Sequence, residues 1–427
     1  MGKIVDMKRI FFALVLMLSI LPACATFPQV QLSSNALNSK ASQDKPYVVL
    51  VSLDGFRADY LDWYSPPFLN QMKAEGVSAA YMKSTYPSKT FPNHLSIVTG
   101  LNAENHGIVN NVFYDPQRRQ DFRASNPVCA RDGTWFAGTP LWVAAEKQKM
   151  RSAVYFWPGG EADIEGVRPS YYFHYDRKVG VDERVRQVNK WLALSPEERP
   201  HFLAIYFSDV DSTGHRFGPK SDEVKEAVLK VDSAVAEISK VLDKTGLPVN
   251  LVIVSDHGME ELDSKKVVYL EDLISLDEMK AVGDGTHIHL YMKNPRALER
   301  TYQALKKKNS SAFRFYKRSE IPQKHHYSKN PRIGDLLIEA RDNFTVLRSR
   351  QKVEMEHGNH GYDPESPAMR AIFMAKGPGM QSHLKVDPFQ NIEVYPFVLN
   401  LLQLQNHQKV DARGDALKRV LIPKQSH

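Results

Sequence analysis

Four short runs of apolar residues along the chain have the pattern of buried β-strands. They are continuous rather than alternating and contain many β-branched residues, which is typical of strands that are covered on both faces in a parallel sheet. The runs occupy residues 47–53, 201–207, 249–255 and 370–375. The pattern therefore predicts an α/β fold with a mostly parallel central sheet and helices on both of its faces.

Between these runs, apolar residues recur at steps of three and four, which predicts amphipathic helices. One helix is indicated from Val224 to Leu242, with Gly246 as its stop, and another over residues 391–404. Residues 112–200 have weaker periodicity and many aromatic side chains, so we predict an inserted lid segment there. No repeat or low-complexity tract occurs, and the pattern of strands and helices indicates a single domain over residues 46–420.

Acidic residues follow three of the four predicted strands at their carboxyl ends. Asp54 follows the first strand, Asp209 follows the second, and Asp256 with His257 follows the third. In open α/β sheets, binding sites are built at this edge. One carboxylate at a strand end is unremarkable, but the repetition predicts a functional site.

The segment Thr90-Phe-Pro92 predicts the start of a helix at a residue that carries a hydroxyl group. Thr90 stands where an N-cap residue belongs, Pro92 lies in the first turn, and Gly100 marks the end. The unpaired N–H groups and the dipole of a helix N-terminus can hold an anion or stabilise an alkoxide. Taken alone, Thr90 is best interpreted as a capping residue. The Asp and His residues elsewhere make it a candidate nucleophile.

Those Asp and His residues form a set that could bind metal. Carboxylate and imidazole groups suit Zn²⁺ where thiolates are absent, and three of each suffice for two ions with open positions. Each pair alone is weak evidence, and their spacing does not divide them between two ions. The candidate ligands are Asp54, Asp211, His215, Asp256, His257 and His360.

The composition narrows the choice of partners. Of 427 residues, 42% are hydrophobic and 25% are charged, as in ordinary globular proteins. A formal net charge of +7 suits an anionic substrate or surface, but no long basic run indicates a nucleic-acid partner. The two cysteines are Cys24 and Cys129, so lipidation or removal of Cys24 would leave no intrachain disulfide.

The N-terminus has the pattern of an export signal. Basic residues precede an apolar run over residues 10–21, which is too short to span a bilayer comfortably. Leu-Pro-Ala-Cys at 21–24 resembles a bacterial lipobox and predicts a signal peptide over 1–23 with a lipid on Cys24. Simple cleavage after Ala25 is the competing interpretation.

Residues 24–45 are rich in Ser, Asn, Gln and Ala, which predicts a flexible tether. We therefore expect an exported protein in the periplasm or at the cell surface. Its membrane contact would be a lipid anchor in a bacterial membrane.

Several motifs together resemble the nucleotide pyrophosphatase/phosphodiesterase family of the alkaline phosphatase superfamily, in a bacterial form. The resemblance extends from about Val48 to His360 and implies an alkaline-phosphatase-like fold. Its motifs are Asp54-Gly-Phe-Arg57, Thr90-Phe-Pro-Asn-His94, Asn111-x-x-Tyr-Asp115, Asp211-x-x-Gly-His215, Asp256-His-Gly-Met259, Asn330-Pro-Arg-Ile-Gly-Asp335 and Asn359-His-Gly-Tyr-Asp363.

The resemblance implies a site with two Zn²⁺ ions. Two metals about 4 Å apart can clamp the attacking and the leaving oxygens of a phosphoryl transfer. The implied ligands are Asp211, His215 and His360 for one ion, and Asp54, Asp256, His257 and the Thr90 hydroxyl for the other.

The resemblance also implies a mechanism and a substrate. Thr90 would attack phosphorus and form a phosphothreonine diester, while Asn111 and the Phe91 backbone N–H would donate to a non-bridging oxygen. Phe91 and Tyr175 resemble the aromatic pair that sandwiches a nucleobase. The implied reaction is hydrolysis of nucleotide phosphodiester or pyrophosphate bonds with release of nucleoside 5′-monophosphates. From the residues alone, Asn111 could be a turn residue and Tyr175 a packing residue.

Two alternative functions stay open at this level, besides the more distant one of a phosphonoacetate hydrolase, which also uses a zinc-activated threonine. The closest is a phosphodiesterase acting on lipid-headgroup or choline-type diesters. The other is a surface lipoprotein that binds metal without catalysis, although a binding protein would need no nucleophile such as Thr90. A sulfatase is disfavoured because no formylglycine motif occurs in the sequence.

Overall fold

The computed structural model describes residues 30–33, 36–308, 310–350 and 356–422. The predicted signal peptide, the lipidation site Cys24 and the first part of the predicted tether lie outside these residues. Among the described helices, none has both the length and the apolar character required to cross a bilayer.

The described chain alternates between short strands and helices. The strands are β1 (Gln31–Leu32), β2 (Tyr47–Leu53), β3 (Val77–Ala79), β4 (Met82–Lys83), β5 (Val112–Asp115), β6 (Gln120–Arg123), β7 (Ser152–Tyr155), β8 (Tyr171–Phe173), β9 (Phe202–Phe207), β10 (Val249–Val254), β11 (Glu260–Glu261), β12 (Val267–Tyr269), β13 (Met279–Val282), β14 (His287–Met292), β15 (Phe313–Lys317), β16 (Leu336–Ala340), β17 (Thr345–Leu347), β18 (Gly358–Asn359), β19 (Phe373–Lys376), β20 (Leu384–Val386) and β21 (Phe389–Gln390).

The α-helices are α1 (Lys40–Gln43), α2 (Tyr60–Trp63), α3 (Pro67–Glu75), α4 (Thr90–Thr99), α5 (Ala103–His106), α6 (Pro127–Arg131), α7 (Leu141–Lys147), α8 (Val181–Leu192), α9 (Asp209–Phe217), α10 (Asp222–Thr245), α11 (Pro295–Lys308) and α12 (Val394–Leu401). Short 3₁₀ helices cover Gly133–Trp135, Ile164–Gly166, Leu270–Asp272, Arg318–Glu320, Gln323–His325, Pro331–Ile333, Pro367–Met369, Asn391–Glu393 and Lys418–Val420.

A nine-stranded sheet lies at the centre, in the order β1-β8-β7-β9-β2-β10-β19-β3-β20. The five strands from β8 to β10 are parallel to one another, whereas β1 and β19 run antiparallel to their neighbours. The prediction of a mostly parallel sheet is therefore confirmed. The first three predicted strands match β2, β9 and β10 closely. The fourth corresponds to β19, which begins three residues later than predicted and runs antiparallel to β10.

Helices cover both faces of this sheet, as predicted. Val48 and Leu50 of β2 face one apolar core, while Val49 and Val51 face the other. Residues of α4, α7 and α12 close the first core, and residues of α3, α8 and α10 close the second. This alternation explains why β2 reads as a continuous apolar run, since both of its faces are buried.

Helix α10 illustrates how local signals fix an element. The Ser221 hydroxyl accepts a hydrogen bond from the Val224 N–H at 3.2 Å, which caps the first turn. Gly246 follows the last turn with φ of 67°, a left-handed conformation that favours glycine. The predicted apolar stripe from Val224 to Leu242 is buried against the sheet.

Much of the predicted lid over 112–200 belongs instead to the central sheet and its covering helices. This region contains β7 and β8, two strands of the central sheet, and α7 and α8, which pack on its faces. Its aromatic residues form core contacts, such as that between the rings of Tyr155 and Phe173, whose centroids are 4.1 Å apart. Strands this short carry too few residues for a recognisable apolar run.

The insertion lies instead between β10 and β19. Strands β13, β14, β16 and β15 form a separate antiparallel sheet in that order, and α11 packs against it. Leu290, Leu305 and Ile338 belong to an apolar core of its own.

The described part of the predicted tether is ordered against the domain, in contrast to the flexible tether predicted up to residue 45. Asn38 is buried, and its side-chain amide donates to the carbonyl oxygens of Pro196 and Arg199 at 2.8 and 2.7 Å. Ser39 caps α1, and β1 pairs with β8. The polar composition that suggested a tether is used here to bond backbone groups of the domain.

Asp232 of α10 caps the N-terminus of a different helix, α3. Its buried carboxylate accepts the N–H groups of Phe68 at 3.1 Å and Leu69 at 2.7 Å, while Pro66 at the N-cap has no side-chain cap. We expect Asp232→Ala to lower the free energy of unfolding by about 1–2 kcal/mol, measured by urea denaturation. Asp243→Ala, at an exposed position of the same helix, should change it by less than about 0.5 kcal/mol. Equal changes in the two variants would contradict the capping role.

Candidate active site

Three neighbouring parallel strands bring the predicted site residues to one edge of the sheet. In the register of β2, Ser52 lies opposite Tyr206 of β9 and Val254 of β10. The carboxyl ends of the three strands are therefore level. Asp54, the start of α9 and Asp256 emerge beside one another, as the sequence predicted.

Three carboxylates meet there, and each has one buried oxygen that accepts no hydrogen bond from any described residue. These atoms are Asp54 Oδ1, Asp211 Oδ1 and Asp256 Oδ2. Imidazole nitrogens lie near two of them, His257 Nε2 at 2.9 Å from Asp256 Oδ2 and His215 Nε2 at 3.4 Å from Asp211 Oδ1. Buried carboxylate oxygens without a hydrogen bond are costly, so the arrangement favours positive charge beside them.

The pKa values reflect this crowding. Burial, together with the carboxylates of Asp256 and Asp211, raises the pKa of Asp54 well above its usual value. Burial alone would also raise the pKa of Asp256, but His257 and His94 hold it well below its usual value. The other carboxylate oxygen of Asp54 accepts a hydrogen bond from the Tyr206 hydroxyl.

The three predicted histidine ligands share one arrangement that fixes which nitrogen faces the site. In each ring, Nδ1 lies within hydrogen-bond distance of a backbone carbonyl oxygen. A carbonyl can only accept, so Nδ1 carries a proton and Nε2 is the nitrogen that faces the site. The pairs are His215 with Gly358 at 3.0 Å, His257 with Gly258 at 2.9 Å, and His360 with Ser88 at 2.9 Å.

The ligand atoms form two adjoining groups. Asp54, Asp256 and His257 form one group, and Asp211, His257 and His360 form the other, with the atoms of each group within 4.8 Å of one another. His257 stacks on His360 with ring centroids 3.6 Å apart, so the groups are in contact.

His215 joins the second group, because its Nε2 lies 3.4 Å from Asp211 Oδ1. Although burial alone would lower it, Asp211 and Glu356 raise the pKa of His215 to about 10. Without metal, its proton therefore balances part of the carboxylate charge, and a bound cation would replace that proton. All six predicted ligands lie together, and their donor set fits two neighbouring divalent cations.

Thr90 lies at this site but is not the N-cap residue that the sequence predicted. It is the first residue of α4, and Lys89 occupies the N-cap position with an extended backbone. The Thr90 Oγ1 lies 3.3 Å from His257 Nε2, so the hydroxyl faces the group that contains Asp54 and Asp256. Gly100 ends the helix in a left-handed conformation, as predicted.

His94, one turn after Thr90, connects the helix to the cluster and was assigned no role from the sequence. Its Nδ1 lies 2.9 Å from the Thr90 carbonyl oxygen and 3.3 Å from Asp256 Oδ2, and its Nε2 lies 2.8 Å from the Ser52 hydroxyl. His94 is fully buried, and its ring therefore fixes the first turn of α4 against the sheet edge.

Asn111 contacts the first turn of α4 in a way that corrects one prediction. The Phe91 N–H donates to Asn111 Oδ1 at 2.9 Å, so it is not free to donate to a phosphoryl oxygen as predicted. Because the amide oxygen is used as the acceptor, the Nδ2 group of Asn111 is the end left to donate to a substrate.

A chain of hydrogen bonds from the inserted sheet supports Asn111. His289 Nδ1 donates to the Ile333 carbonyl at 2.7 Å, and burial lowers the pKa of His289 to about 4, so its Nε2 is an acceptor. The Asn110 amide donates to Nε2 at 3.0 Å, and its oxygen accepts the Asn111 N–H at 2.7 Å. The insertion thus helps to position Asn111.

The two predicted base-binding rings lie at the rim of the site. Phe91 is half-buried and meets Phe122 edge-on, with centroids 6.1 Å apart. Tyr175 is exposed, and its ring lies 6.3 Å from that of Tyr206, the hydrogen-bond partner of Asp54. No ring contact joins Phe91 to Tyr175 in the part of the chain that the structure describes.

Two of the family-like motifs have a structural role. Arg332 Nε lies 2.8 Å from Asp115 Oδ2, and its guanidinium donates to the carbonyl oxygens of Gly107 and Trp135. These contacts attach the inserted sheet to the hairpin of β5 and β6, beside Asn111.

Comparison with known families and proteins agrees with this arrangement. The family model described as "Type I phosphodiesterase / nucleotide pyrophosphatase" matches residues 48–363. Venom phosphodiesterase CdcPDE of Crotalus durissus collilineatus is 35% identical over 385 residues, which cover 87% of this chain and 46% of the venom protein. Ectonucleotide pyrophosphatase/phosphodiesterase family member 3 of Bos taurus is 36% identical over 393 residues, 89% of this chain and 44% of the bovine protein.

Among solved structures, murine ectonucleotide pyrophosphatase/phosphodiesterase 5 has the same fold. An inactive threonine-to-alanine variant of it, in complex with AMP, superposes with a TM-score of 0.84 at 27% identity and covers 88% of this chain and 100% of the murine chain. The present chain spans about half the length of the curated relatives it matches.

The family model matches most of the chain, and the fold is shared with a solved member. The chain therefore belongs to the type I phosphodiesterase/nucleotide pyrophosphatase family of the alkaline phosphatase superfamily.

Proposed function

We propose that this protein is a zinc-dependent phosphodiesterase that hydrolyses nucleotide phosphodiester or pyrophosphate bonds and releases nucleoside 5′-monophosphates. The observation that carries the proposal is the position of the Thr90 hydroxyl, 3.3 Å from His257 Nε2 at the edge of a cluster of carboxylates and imidazoles. The names of the venom and bovine relatives, and the AMP complex of the murine protein, support a nucleotide substrate.

The site would hold two Zn²⁺ ions, because its donors are imidazole nitrogens and carboxylate oxygens without thiolates. Bound there, the two ions would lower the pKa of the Thr90 hydroxyl and of the hydrolytic water and stabilise charge on the leaving oxygen. The residues that would hold them are Asp211, His215 and His360 for one ion, and Asp54, Asp256 and His257, beside Thr90, for the other.

Thr90 acts as the nucleophile in two steps. Its hydroxyl loses a proton and attacks phosphorus, and the bond to the leaving oxygen breaks as the bond to Thr90 Oγ forms. Water then attacks the threonine-linked nucleotide, which restores the hydroxyl and releases the nucleoside 5′-monophosphate. The N-terminus of α4 favours negative charge on Oγ, and Asn111 Nδ2 donates to a non-bridging oxygen of the phosphoryl group.

Asn111 also favours diesters over monoesters. A phosphodiester carries one charge on its non-bridging oxygens, whereas a monoester dianion carries two. A neutral amide donor suits the single charge, while a cationic partner would suit the dianion. We therefore expect diesters to be strongly preferred substrates.

Replacement of the nucleophile tests the covalent mechanism. Thr90→Ala should keep the fold and the bound metal but lower kcat by more than about 1,000-fold, because the attacking hydroxyl is removed. Circular dichroism, metal analysis and turnover of a p-nitrophenyl phosphodiester measure these three properties. Thr99→Ala removes a hydroxyl from the far end of the same helix and should leave kcat within threefold of wild type. A Thr90→Ala enzyme within tenfold of wild type would refute the mechanism.

Base recognition is tested by removing a ring. Phe91→Ala should weaken transition-state binding of thymidine 5′-(p-nitrophenyl phosphate) by about 1–3 kcal/mol, the usual contribution of one stacked base. Methyl p-nitrophenyl phosphate, which has the same leaving group but no base, should be affected much less. The ratio of the two kcat/KM values measures the effect. Equal losses would show that Phe91 supports the site structurally, and would favour the alternative of a lipid-headgroup or choline-type diester.

A further inference from the structure

The segment that carries Tyr175 has no regular secondary structure. It joins β8, which ends at Phe173, to α8, which begins at Val181. The Tyr175 side chain is 45% exposed. Its hydroxyl lies 3.2 Å from the Ser208 Oγ, and its ring meets Phe156 edge-on with centroids 5.2 Å apart. A ring on such a loop can offer a stacking surface at low entropic cost only if its backbone is already held in place.

Glu161, which lies 14 residues earlier in the chain, holds that backbone. Its Oε1 accepts the Tyr175 N–H at 2.8 Å. Its Oε2 accepts hydrogen bonds from Arg131 Nε and His174 Nδ1, both at 2.7 Å. Both oxygens of the carboxylate are therefore used to connect neighbouring segments.

The surroundings of Glu161 strengthen these contacts. The side chain is only 13% exposed, so solvent and salt screen its charge less than at an open surface. Hydrogen bonds to a carboxylate are stronger than those between neutral groups, particularly when the donor is a guanidinium. The Glu161 carbonyl also accepts a hydrogen bond from Arg168 Nε at 3.1 Å, which fixes the backbone of Glu161 itself.

We propose that Glu161 is a positioning residue that holds Tyr175 for stacking on the nucleobase, and thereby sets the preference for diesters that carry a base. This inference rests on the proposed nucleotide phosphodiesterase function. Glu161 reaches Tyr175 through the backbone and belongs to neither group of metal ligands. Its loss should therefore change substrate preference more than the rate of bond cleavage.

The test compares thymidine 5′-(p-nitrophenyl phosphate) with methyl p-nitrophenyl phosphate, which share a leaving group. Glu161→Ala should raise KM for the thymidine ester by about 5- to 50-fold, as expected for loss of a stacked base, with a much smaller change in kcat. The kcat/KM of the methyl ester should fall at least about fivefold less than that of the thymidine ester. Glu165→Ala, an exposed glutamate four positions further on, serves as the matched control and should leave both substrates unchanged.

Glu161→Gln keeps the size of the side chain and an oxygen that can accept the Tyr175 N–H. Its kcat/KM for the thymidine ester should therefore fall less than that of Glu161→Ala. If the alanine variant unfolds at a lower temperature than the wild type, the Gln variant replaces it in the test. The role of the Tyr175 contact would be overturned if the Gln variant kept the wild-type melting temperature but lost as much kcat/KM for the thymidine ester as the Ala variant.

A double-mutant cycle shows whether Glu161 acts through Tyr175. Tyr175→Ala should lower kcat/KM for the thymidine ester, relative to the methyl ester, as much as Glu161→Ala does. Adding Glu161→Ala to Tyr175→Ala should lower that ratio by less than a further twofold, because the ring that Glu161 holds is already absent. A double variant whose loss in this ratio equals the product of the two single losses would overturn the proposal. If Tyr175→Ala lowers the ratio and Glu161→Ala does not, only the role of Glu161 is refuted. If Tyr175→Ala has no base-dependent effect, stacking at Tyr175 is refuted as well, and that part of the proposed function fails with it.

Discussion

The close approach of three buried carboxylates is the constraint on which the rest of the site depends. Asp54, Asp211 and Asp256 each keep an oxygen without a hydrogen bond among the described residues. Level, parallel strands place these groups together at one sheet edge, and nearby positive charge or a proton on one carboxyl group lowers the cost of the cluster. In the absence of metal, the raised pKa of His215 keeps its imidazole protonated, and this proton supplies part of that charge. The cluster thus favours bound cations, and the Thr90 hydroxyl, the proposed nucleophile, lies beside it.

Backbone contacts determine where Thr90, the proposed nucleophile, lies relative to the candidate metal ligands. The Ser88 carbonyl, two residues before Thr90, accepts a hydrogen bond from His360 Nδ1 at 2.9 Å. The Ser88 hydroxyl donates to the Tyr362 carbonyl at 3.1 Å. These two hydrogen bonds connect the loop before Thr90 directly to the segment that carries His360. This explains how residues so distant in sequence can hold an arrangement in which small displacements would matter.

The sequence predicts the centre of the molecule well and its periphery poorly, for physical reasons. Strands β2, β9 and β10 are buried on both faces, so their apolar runs leave few alternatives, and the Asp and His residues at their ends follow directly. Strands β7 and β8 have too few residues for such a pattern, and their place in the sheet depends on non-local pairing. The apolar pattern therefore does not show that the insertion lies between β10 and β19.

At the site itself, the pattern identifies the chemical groups but not their local geometry. An N-cap and the first helical residue are adjacent, so composition could not show that Lys89, rather than Thr90, occupies the cap. The backbone carbonyls that accept hydrogen bonds from the three histidines cannot be recognised in the sequence, because every residue has a carbonyl. The same limit applies to the bond between the Phe91 N–H and Asn111, which changes the set of donors available to a substrate.

The zinc content of the purified protein tests the central claim most directly. Inductively coupled plasma mass spectrometry of protein expressed with zinc and dialysed without chelator should find about two zinc ions per chain. Asp54→Ala and Asp211→Ala, which remove one carboxylate from each group, should each lower the content towards one. A wild-type content near zero, or variants that retain the wild-type content, would contradict the assignment of these carboxylates to two metal sites.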